Sequence, residues 1–201
     1  GTHPQAKQNE QPSGEERHAH GPGDAQCWGA TDSKPDDGVD ETVDRRDPEE
    51  DELIGVRLSD GNDDILMVSR LGQAVRFHEK DVRAMGRPAS GVQGMRLRGE
   101  DEVIEVDIAN DDAELLVVTE NGWGKRTRVS EYPVKGRGGL GVQTAKLVEG
   151  KGKLVGARIV REGYQVMLIS DGGTVIKMAA DDIKRSGRAT QGVIVMRLRE
   201  G

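Results

Sequence analysis

The stretch Tyr132-Pro-Val-Lys-Gly-Arg-Gly-Gly-Leu-Gly-Val142 is basic and rich in glycine, and a hydrophobic segment follows it. Its pattern of Gly-Arg, three residues and Gly-Val occurs twice more, at residues 86–92 and 187–193. The second glycines of the three copies are 50 and 51 residues apart, at Gly91, Gly141 and Gly192. A fixed period of this length is typical of proteins built from repeated blades or coils.

Each copy of the pattern belongs to a longer repeat whose periodicity indicates short β-strands. A first strand is predicted at residues 53–58, 103–108 and 154–160. A buried apolar strand follows at residues 65–68, 115–118 and 166–169. A glycine then stands where a tight hairpin needs a positive φ, at Gly72, Gly122 and Gly173.

A third strand carrying a basic residue follows each hairpin glycine, and a fourth strand is predicted at residues 92–97, 142–147 and 193–198. The Gly-Arg segment between them runs for about 12 residues, which is long for a hairpin and suggests that the fourth strand joins another sheet. We therefore predict an all-β, propeller-like fold with about three four-stranded repeats. Its structural glycines are the three hairpin glycines, the three second glycines above, and the first glycines Gly86, Gly136 and Gly187.

Acidic and basic residues are segregated along the 201-residue chain. Residues 1–52 contain 5 Lys/Arg and 15 Asp/Glu, a net charge of −10, whereas residues 53–201 contain 24 and 21, a net charge of +3. Residues 1–50 also have too few apolar side chains to offset the entropy of ordering. We predict a disordered acidic tail there, which either solubilises the protein or competes for a basic surface. The repeats fill residues 51–201, with blades at 53–100, 101–151 and 152–201.

The cysteine content and the hydropathy of the sequence indicate the cellular compartment in which the protein is expected. Cys27 is the single cysteine, which excludes an internal disulfide and fits a reducing compartment. The sequence has no apolar run near the roughly 20 residues that cross a bilayer, and we expect a soluble cytoplasmic protein. His18, His20 and Cys27 match no zinc-ligand spacing, so no metal site is predicted.

Several segments of the repeats resemble the C-terminal domain of the bacterial DNA gyrase A subunit. They include residues 51–58 and 82–87, Asn121-Gly-Trp-Gly-Lys-Arg-Thr127, Ser130-Glu-Tyr-Pro133 and residues 187–193. The resemblance covers residues 51–201 and implies the last three blades of a β-pinwheel, in which neighbouring blades exchange strands. It also implies a basic rim that wraps duplex DNA for an ATP-dependent type II topoisomerase, which introduces negative supercoils.

The chain departs from that family in ways that limit the expected activity. It has no counterpart of the breakage-reunion domain with its catalytic tyrosine or of the earlier blades with their basic signature box, and residues 1–50 resemble nothing in the family. We expect a noncatalytic fragment of the enzyme, associated with the bacterial chromosome. It would need no cofactor of its own, and ATP and magnesium would belong to other parts of the enzyme. The expected partners are double-stranded DNA, the rest of gyrase A and gyrase B.

Basic residues recur at equivalent places in the three repeats and would form an arc of positive charge. Arginine next to glycine lets both a guanidinium and a backbone N–H approach a phosphate. The candidate DNA contacts are Arg76, Arg83, Arg87, Lys125, Arg126, Arg128, Lys135, Arg137, Lys177, Lys184, Arg185 and Arg188. Arg96, Lys146 and Arg197 also recur, but they alternate with apolar residues and are assigned to a solvated strand face.

Other functions are less well supported by the sequence. Gly136 to Gly141 formally matches the dinucleotide fingerprint, but a strand is predicted after it where that fingerprint needs a helix. No catalytic constellation is evident, and His78 is interpreted as a surface residue. Two alternatives stay open: a DNA-positioning domain of the topoisomerase IV type, and a protein-interaction scaffold. Two copies could also pair, because three blades make half of the family's ring and terminal repeats need a cap.

Overall fold

The computed structural model describes residues 51–198. The predicted disordered tail at residues 1–50 lies outside this range. Within it the secondary structure is all β, with three short 3-10 turns and no helix long and apolar enough to span a membrane. The strands are β1 (Asp64–Ser69), β2 (Gln73–His78), β3 (Val103–Ala109), β4 (Glu114–Thr119), β5 (Trp123–Arg128), β6 (Val142–Gln143), β7 (Leu154–Val160), β8 (Gln165–Ile169), β9 (Val175–Ala179) and β10 (Val193–Ile194).

A tight antiparallel hairpin forms the centre of each repeat: β1–β2, β4–β5 and β8–β9. The predicted hairpin glycines have positive φ angles of 81°, 74° and 76° at Gly72, Gly122 and Gly173. At Gly122 a Cβ atom would also lie 2.0 Å from the carbonyl oxygen of Met196. Glycine is needed there because an L side chain is strained at positive φ and would collide with the backbone of the third repeat.

Neighbouring repeats exchange strands. One sheet has the order β3-β1-β2-β6 and the other has the order β10-β5-β4-β7. The hairpin of the first repeat, β1–β2, thus lies between β3 and β6, which are the first and fourth strands of the second repeat. The hairpin of the second repeat, β4–β5, likewise lies between β7 and β10, the first and fourth strands of the third repeat. The expectation that the fourth strand joins another sheet is confirmed.

Two details of the predicted strands are corrected. Residues 53–58 form no strand, because a first strand pairs with the hairpin of the preceding repeat and the described residues contain no such hairpin. The fourth strands are also shorter than predicted: β6 and β10 have two residues each, and residues 92–97 contribute one isolated bridge, from Met95 to Gly139. Beyond these pairs, the segments of the second and third repeats bond the hairpin turns of the preceding repeats, as Thr144 does at Gly72 and Val195 at Gly122.

The core is mainly aliphatic, as the composition predicts, and it joins the repeats. Leu66, Leu115 and Leu154, one from each repeat, share a cluster and are at most 1% exposed. Tyr132 fills the same cluster, and its hydroxyl group hydrogen-bonds the Thr144 hydroxyl. Burial raises the pKa of Tyr132 to about 12. Because one cluster draws on three repeats, burying apolar surface fixes their relative arrangement.

Candidate nucleic-acid interface

A short 3-10 turn ends the third strand of each repeat, and in the second and third repeats the segment that follows lies on the repeat before it. These turns are Glu79–Asp81, Val129–Glu131 and Ala180–Asp182. In the second repeat, the backbone N–H of Lys135 then donates to the carbonyl of Arg76 over 2.8 Å. In the third repeat, the carbonyl of Lys184 accepts from Arg126 over 3.0 Å. Both segments run parallel to the third strand of the preceding repeat.

We call the three Gly-Arg loops, residues 86–91, 136–141 and 187–192, the loop ridge. The second and the third of these loops pair with the fourth-strand segment of the repeat before them. Gly138 donates from its backbone N–H to Gly94 over 2.7 Å, and Arg96 donates to Gly139 over 2.9 Å. The equivalent bond between the second and third repeats joins Lys146 N–H to the Thr190 carbonyl over 3.0 Å. The ridge is a product of backbone pairing between repeats, and this pairing gives Arg137 and Arg188 equivalent positions in successive repeats.

Close backbone approach makes the second glycine of each loop necessary. A Cβ on Gly141 would lie 2.3 Å from the carbonyl oxygen of Ala74, and one on Gly192 would lie 2.5 Å from that of Gly124. Both glycines have φ of +77°, and Gly91 has φ of +79°. The first glycines differ, because their φ angles are not positive and no atom lies within 3.5 Å of an added Cβ: Gly86, Gly136 and Gly187.

The ridge arginines use part of their hydrogen-bonding capacity to hold the stack. Arg137 donates from Nε to the Asp81 carbonyl and from Nη1 to the Gln93 carbonyl, both over 3.0 Å. Arg188 donates from Nη1 to the Gln143 carbonyl over 3.4 Å, and its guanidinium lies 5.9 Å from the centre of the Tyr132 ring. A guanidinium has five N–H donors, so each of these arginines retains donors for another acceptor.

Two candidate contacts are buried and act inside the protein. Arg76 is 7% exposed and pairs with Asp64 over 2.7 Å and with Asp111 over 2.6 Å. Arg126 is 6% exposed and pairs with Glu114 and Asp181, both over 2.7 Å. Each arginine links its own hairpin to the repeat that follows. We therefore leave both out of the proposed contact surface.

Lys125 is also buried, at 1% exposure. Its ammonium group donates to the carbonyls of Gly187 and Arg188 over 2.7 Å and 2.5 Å and to the Thr190 hydroxyl over 3.2 Å. Burial lowers the pKa of this lysine to about 8. Lys125 thus anchors the third loop of the ridge from below and is not available to a phosphate.

Lys177 is the third member of the position that Arg76 and Arg126 occupy in the hairpin register. Lys177 is exposed, because no loop of a following repeat covers β9 within the described residues. Arg76 and Arg126 are buried because the segment of the following repeat covers each of them. The recurrence of a cation here therefore reflects a link between repeats.

Arg128 and Arg185 line an open cleft of mixed charge. Acidic residues share that cleft, and Arg185 forms an ion pair with Glu114. The positive charges of Arg128 and Arg185 are largely balanced by the acidic residues that line the same cleft, which are Asp111, Asp112, Glu114, Glu162 and Asp181. A balanced cleft attracts a polyanion less than the loop ridge does.

The remaining sequence-derived candidates are on the surface at or beside the loops. Arg188 is half-buried and the others are exposed: Arg83, Arg87, Lys135, Arg137 and Lys184. The structure adds Arg96 and Lys146, which are exposed and whose backbone N–H groups bond the loops above them. The sequence signal that could have identified Arg96 and Lys146 as site residues is their recurrence 50 residues apart. The alternation of polar and apolar residues in a strand led instead to their assignment to a solvated face.

The loop geometry bears on the dinucleotide alternative. The segment after Gly141 is strand β6, and it pairs with β2. A dinucleotide site needs a helix whose N-terminus faces the pyrophosphate. The match of residues 136–141 to that fingerprint is therefore accidental.

Comparison with known proteins agrees with the repeat structure. The family model described as "DNA gyrase C-terminal domain, beta-propeller" matches at residues 63–110, 113–161 and 164–201. The DNA gyrase A subunit of Halalkalibacterium halodurans is 59% identical over 153 residues, which are 76% of this chain and 18% of that protein. The DNA gyrase A subunit of Klebsiella oxytoca is 46% identical over 152 residues, or 76% of this chain and 17% of that protein. The chain thus spans less than a fifth of the length of these relatives.

Solved structures show the same fold. The C-terminal domain of DNA gyrase A superposes with a TM-score of 0.66 at 26% identity, over 76% of this chain and 56% of that one. The C-terminal domain of DNA topoisomerase IV superposes with a TM-score of 0.71 at 23% identity, over 76% and 48% of the two chains. The three matched blades, their period and the strand exchange between them place this chain in the family of the DNA gyrase C-terminal domain.

Proposed function

We propose that this chain binds duplex DNA along the loop ridge and bends it around the blades, as a noncatalytic part of the DNA gyrase A protein. The observation that carries the proposal is the pairing of each later Gly-Arg loop with the fourth-strand segment of the preceding repeat, with Arg137 and Arg188 held in equivalent ways. Cations that recur at equivalent positions of successive blades suit the repeating phosphate backbone of a duplex.

The chemistry of the ridge supports binding through phosphates and not through bases. Guanidinium groups form charge-assisted hydrogen bonds to phosphate oxygens, and such contacts position a protein without reading sequence. The first glycine of each loop leaves open space above the backbone, as at Gly136. A phosphate could therefore approach the main chain beside the arginine.

The cost of bending sets how many contacts the ridge must provide. Bending 20 to 30 base pairs by 40 to 90° costs roughly 1–6 kcal/mol. Each neutralised phosphate releases counterions, and six to ten such contacts change affinity by about 10³ to 10⁵ between low and moderate salt. The six exposed or half-buried loop candidates, with Arg96 and Lys146, supply cations on the scale that bending requires.

The role in the larger enzyme follows from the family. The chain would present bent DNA to a cleavage core, and ATP hydrolysis with its magnesium would take place on other parts of gyrase A and gyrase B. A second candidate is DNA positioning without wrapping. The fold likeness to the topoisomerase IV domain favours it.

Titration of a fluorescent duplex at two salt concentrations tests the proposal, followed by relaxation of a plasmid in the presence of the chain. We expect salt-sensitive binding and a shift in linking number. Arg137→Ala should weaken binding about 10-fold, since a charge-assisted hydrogen bond contributes about 1.5–3 kcal/mol. The matched control is Arg158→Ala, which removes one exposed charge from β7, away from the ridge.

Each outcome separates the candidates. Binding without a linking-number shift would favour DNA positioning. Equal losses in Arg137→Ala and Arg158→Ala would mean nonspecific attraction and contradict the ridge. A folded chain that binds no DNA would overturn both candidates and direct attention to a protein-interaction scaffold.

A further inference from the structure

The third Gly-Arg loop differs from the second in the side chain that lies beneath it. Under the third loop, the ammonium group of Lys125 donates to the carbonyls of Gly187 and Arg188 over 2.7 Å and 2.5 Å. The hairpin register places Val75 of the first repeat in the position equivalent to Lys125, so the second loop has an apolar side chain there. Of these two loops, the third therefore has a main chain that a buried charge orients.

This contact sets the direction of two successive peptide N–H groups. The peptide bonds of the described residues are all trans, and a trans peptide has its N–H on the side opposite to its C=O. Because Lys125 holds the carbonyls of Gly187 and Arg188 inwards, the N–H groups of Arg188 and Ala189 are directed towards the surface. No acceptor within the described part of the chain bonds the Ala189 N–H. Successive N–H groups arranged in this way form a concavity that binds anions.

A carboxylate already lies at this place. The N–H of Arg188 donates to Oε2 of Glu131 over 3.4 Å. The same oxygen lies 3.7 Å from the position that a Cβ on Gly187 would take, whereas nothing lies within 4 Å of a Cβ on Gly136 in the second loop. The charge of Glu131 also acts through the loop: burial lowers the pKa of Lys125 to about 8, and the Glu131 carboxylate opposes this shift. Glu131 thus occupies the space beside the first glycine that is open in the second loop.

We infer that the N–H groups of Arg188 and Ala189 form a phosphate site that Lys125 keeps in position. In the free protein the Glu131 carboxylate takes the place of the phosphate, and a duplex must displace it. Carboxylate and phosphate oxygens accept the same charge-assisted hydrogen bonds, so one set of donors serves either anion. The inference rests on the proposed function for its ligand, the phosphate backbone of DNA, and adds a defined site with a competitor from the same chain.

Glu131→Gln tests the competitor. Removal of this carboxylate should tighten the binding of a fluorescent duplex to the whole 201-residue chain about 3- to 5-fold at low salt and pH 7, since exposed charge pairs have effects of this size. The matched control is Glu162→Gln, which removes the same charge from an exposed residue of the cleft of mixed charge. A misfolded variant would not gain affinity. An unchanged affinity in Glu131→Gln, or equal gains in the two variants, would overturn the inference.

Lys125→Met tests the positioning of the N–H groups. It removes the donors beneath the loop and should weaken duplex binding at pH 7 about 10-fold, as expected for the loss of charged hydrogen bonds. In this background Glu131→Gln should no longer tighten binding, because the N–H groups that the carboxylate blocks are no longer held in place. In an Arg137→Ala background the gain should persist, since that residue belongs to another loop and distant sites are additive. A full gain in the Lys125→Met background would overturn the positioning role.

The amide signals provide a measurement that does not depend on DNA. Titration of Glu131→Gln with inorganic phosphate should shift the N–H resonances of Arg188 and Ala189 in a proton–nitrogen correlation spectrum, and the added Lys125→Met change should reduce these shifts. A folded chain that shows the shifts but binds no duplex would overturn the proposed function and support the phosphate site. Duplex binding without any shift at these two amides would overturn the phosphate site and leave the proposed function intact.

Discussion

Arg126 and Glu114 form a 2.7 Å ion pair that lies beneath the loop of the third repeat and is almost fully buried. The same guanidinium donates to the carbonyls of Ile183 and Asp181, both over 2.9 Å. The Arg126 side chain thus donates to two backbone carbonyls of the third repeat and also pairs with Glu114 in its own sheet. Arg126 joins two blades from a buried position, whereas the loop arginines bond the neighbouring repeat from the surface.

Replacement of Arg126 by methionine should destabilise the protein by about 1.5–3 kcal/mol, because the buried charged hydrogen bonds to Glu114 and to the third repeat are lost, while Glu114 keeps its pair with the exposed Arg185. The measurement is the free energy of unfolding in urea. Arg137→Ala is the comparison, and it should cost no more than about 1 kcal/mol, because its hydrogen bonds to the Asp81 and Gln93 carbonyls are exposed to solvent. Equal stability of the two variants would show that burial of Arg126 is unimportant.

Lys125 should make stability depend on pH in the alkaline range. Its pKa is lowered to about 8 in the fold from an ordinary value of 10.5, so between these values the unfolded chain binds a proton that the native chain lacks. Stability should therefore rise from pH 8 to pH 10 relative to Lys125→Met, and should not change with pH below 8 on this account. The window ends at pH 10 because Tyr132 has a raised pKa of about 12, which costs stability above its unfolded pKa. Parallel curves for the two proteins would contradict this prediction.

The two glycines of the second loop should respond differently to substitution. Gly141→Ala should cost more than about 2 kcal/mol, since an L residue at positive φ costs roughly 1–2 kcal/mol and its Cβ would also meet the Ala74 carbonyl at 2.3 Å. Gly136→Ala should leave stability within about 1 kcal/mol, because its φ is not positive and nothing lies within 4 Å of the added atom. Thermal unfolding of both variants decides the matter, and DNA titration of Gly136→Ala then tests whether a phosphate approaches that backbone.

The acidic segment should weaken DNA binding at low salt. Residues 1–52 carry a net charge of −10, and on the competition hypothesis they would occupy the basic ridge in place of phosphates. Removal of residues 1–50 should tighten duplex binding at low ionic strength, and the gain should shrink as salt screens the attraction. Titration of both proteins at two salt concentrations measures the difference. An unchanged affinity at low salt would mean that the segment only solubilises the protein.

The local sequence was sufficient to predict the turns and the strands that depend on residues close to each other in the chain. The hairpin glycines sit at positive φ as expected, because a tight turn favours glycine there. The second loop glycines, predicted as structural glycines, also have positive φ. The apolar runs became β1, β4 and β8, but the prediction of a buried strand is wrong for β8, since no first strand pairs with its other edge within the described residues. The period of 50 and 51 residues between loop glycines indicated a blade architecture, since equal spacing implies equivalent units.

Pairing between repeats was decided by the tertiary structure. Residues 53–58 have the pattern of a strand but form none, because a strand needs a partner and the pattern does not supply one. Arg126 and Arg137 are both arginines in recurring positions. A loop from the next repeat buries Arg126, whereas Arg137 lies on such a loop and stays exposed. The sequence by itself determined the repeat, the turns and the set of cations; only the packing of one repeat on another decided which cations face the solvent, because burial depends on residues about 50 positions away.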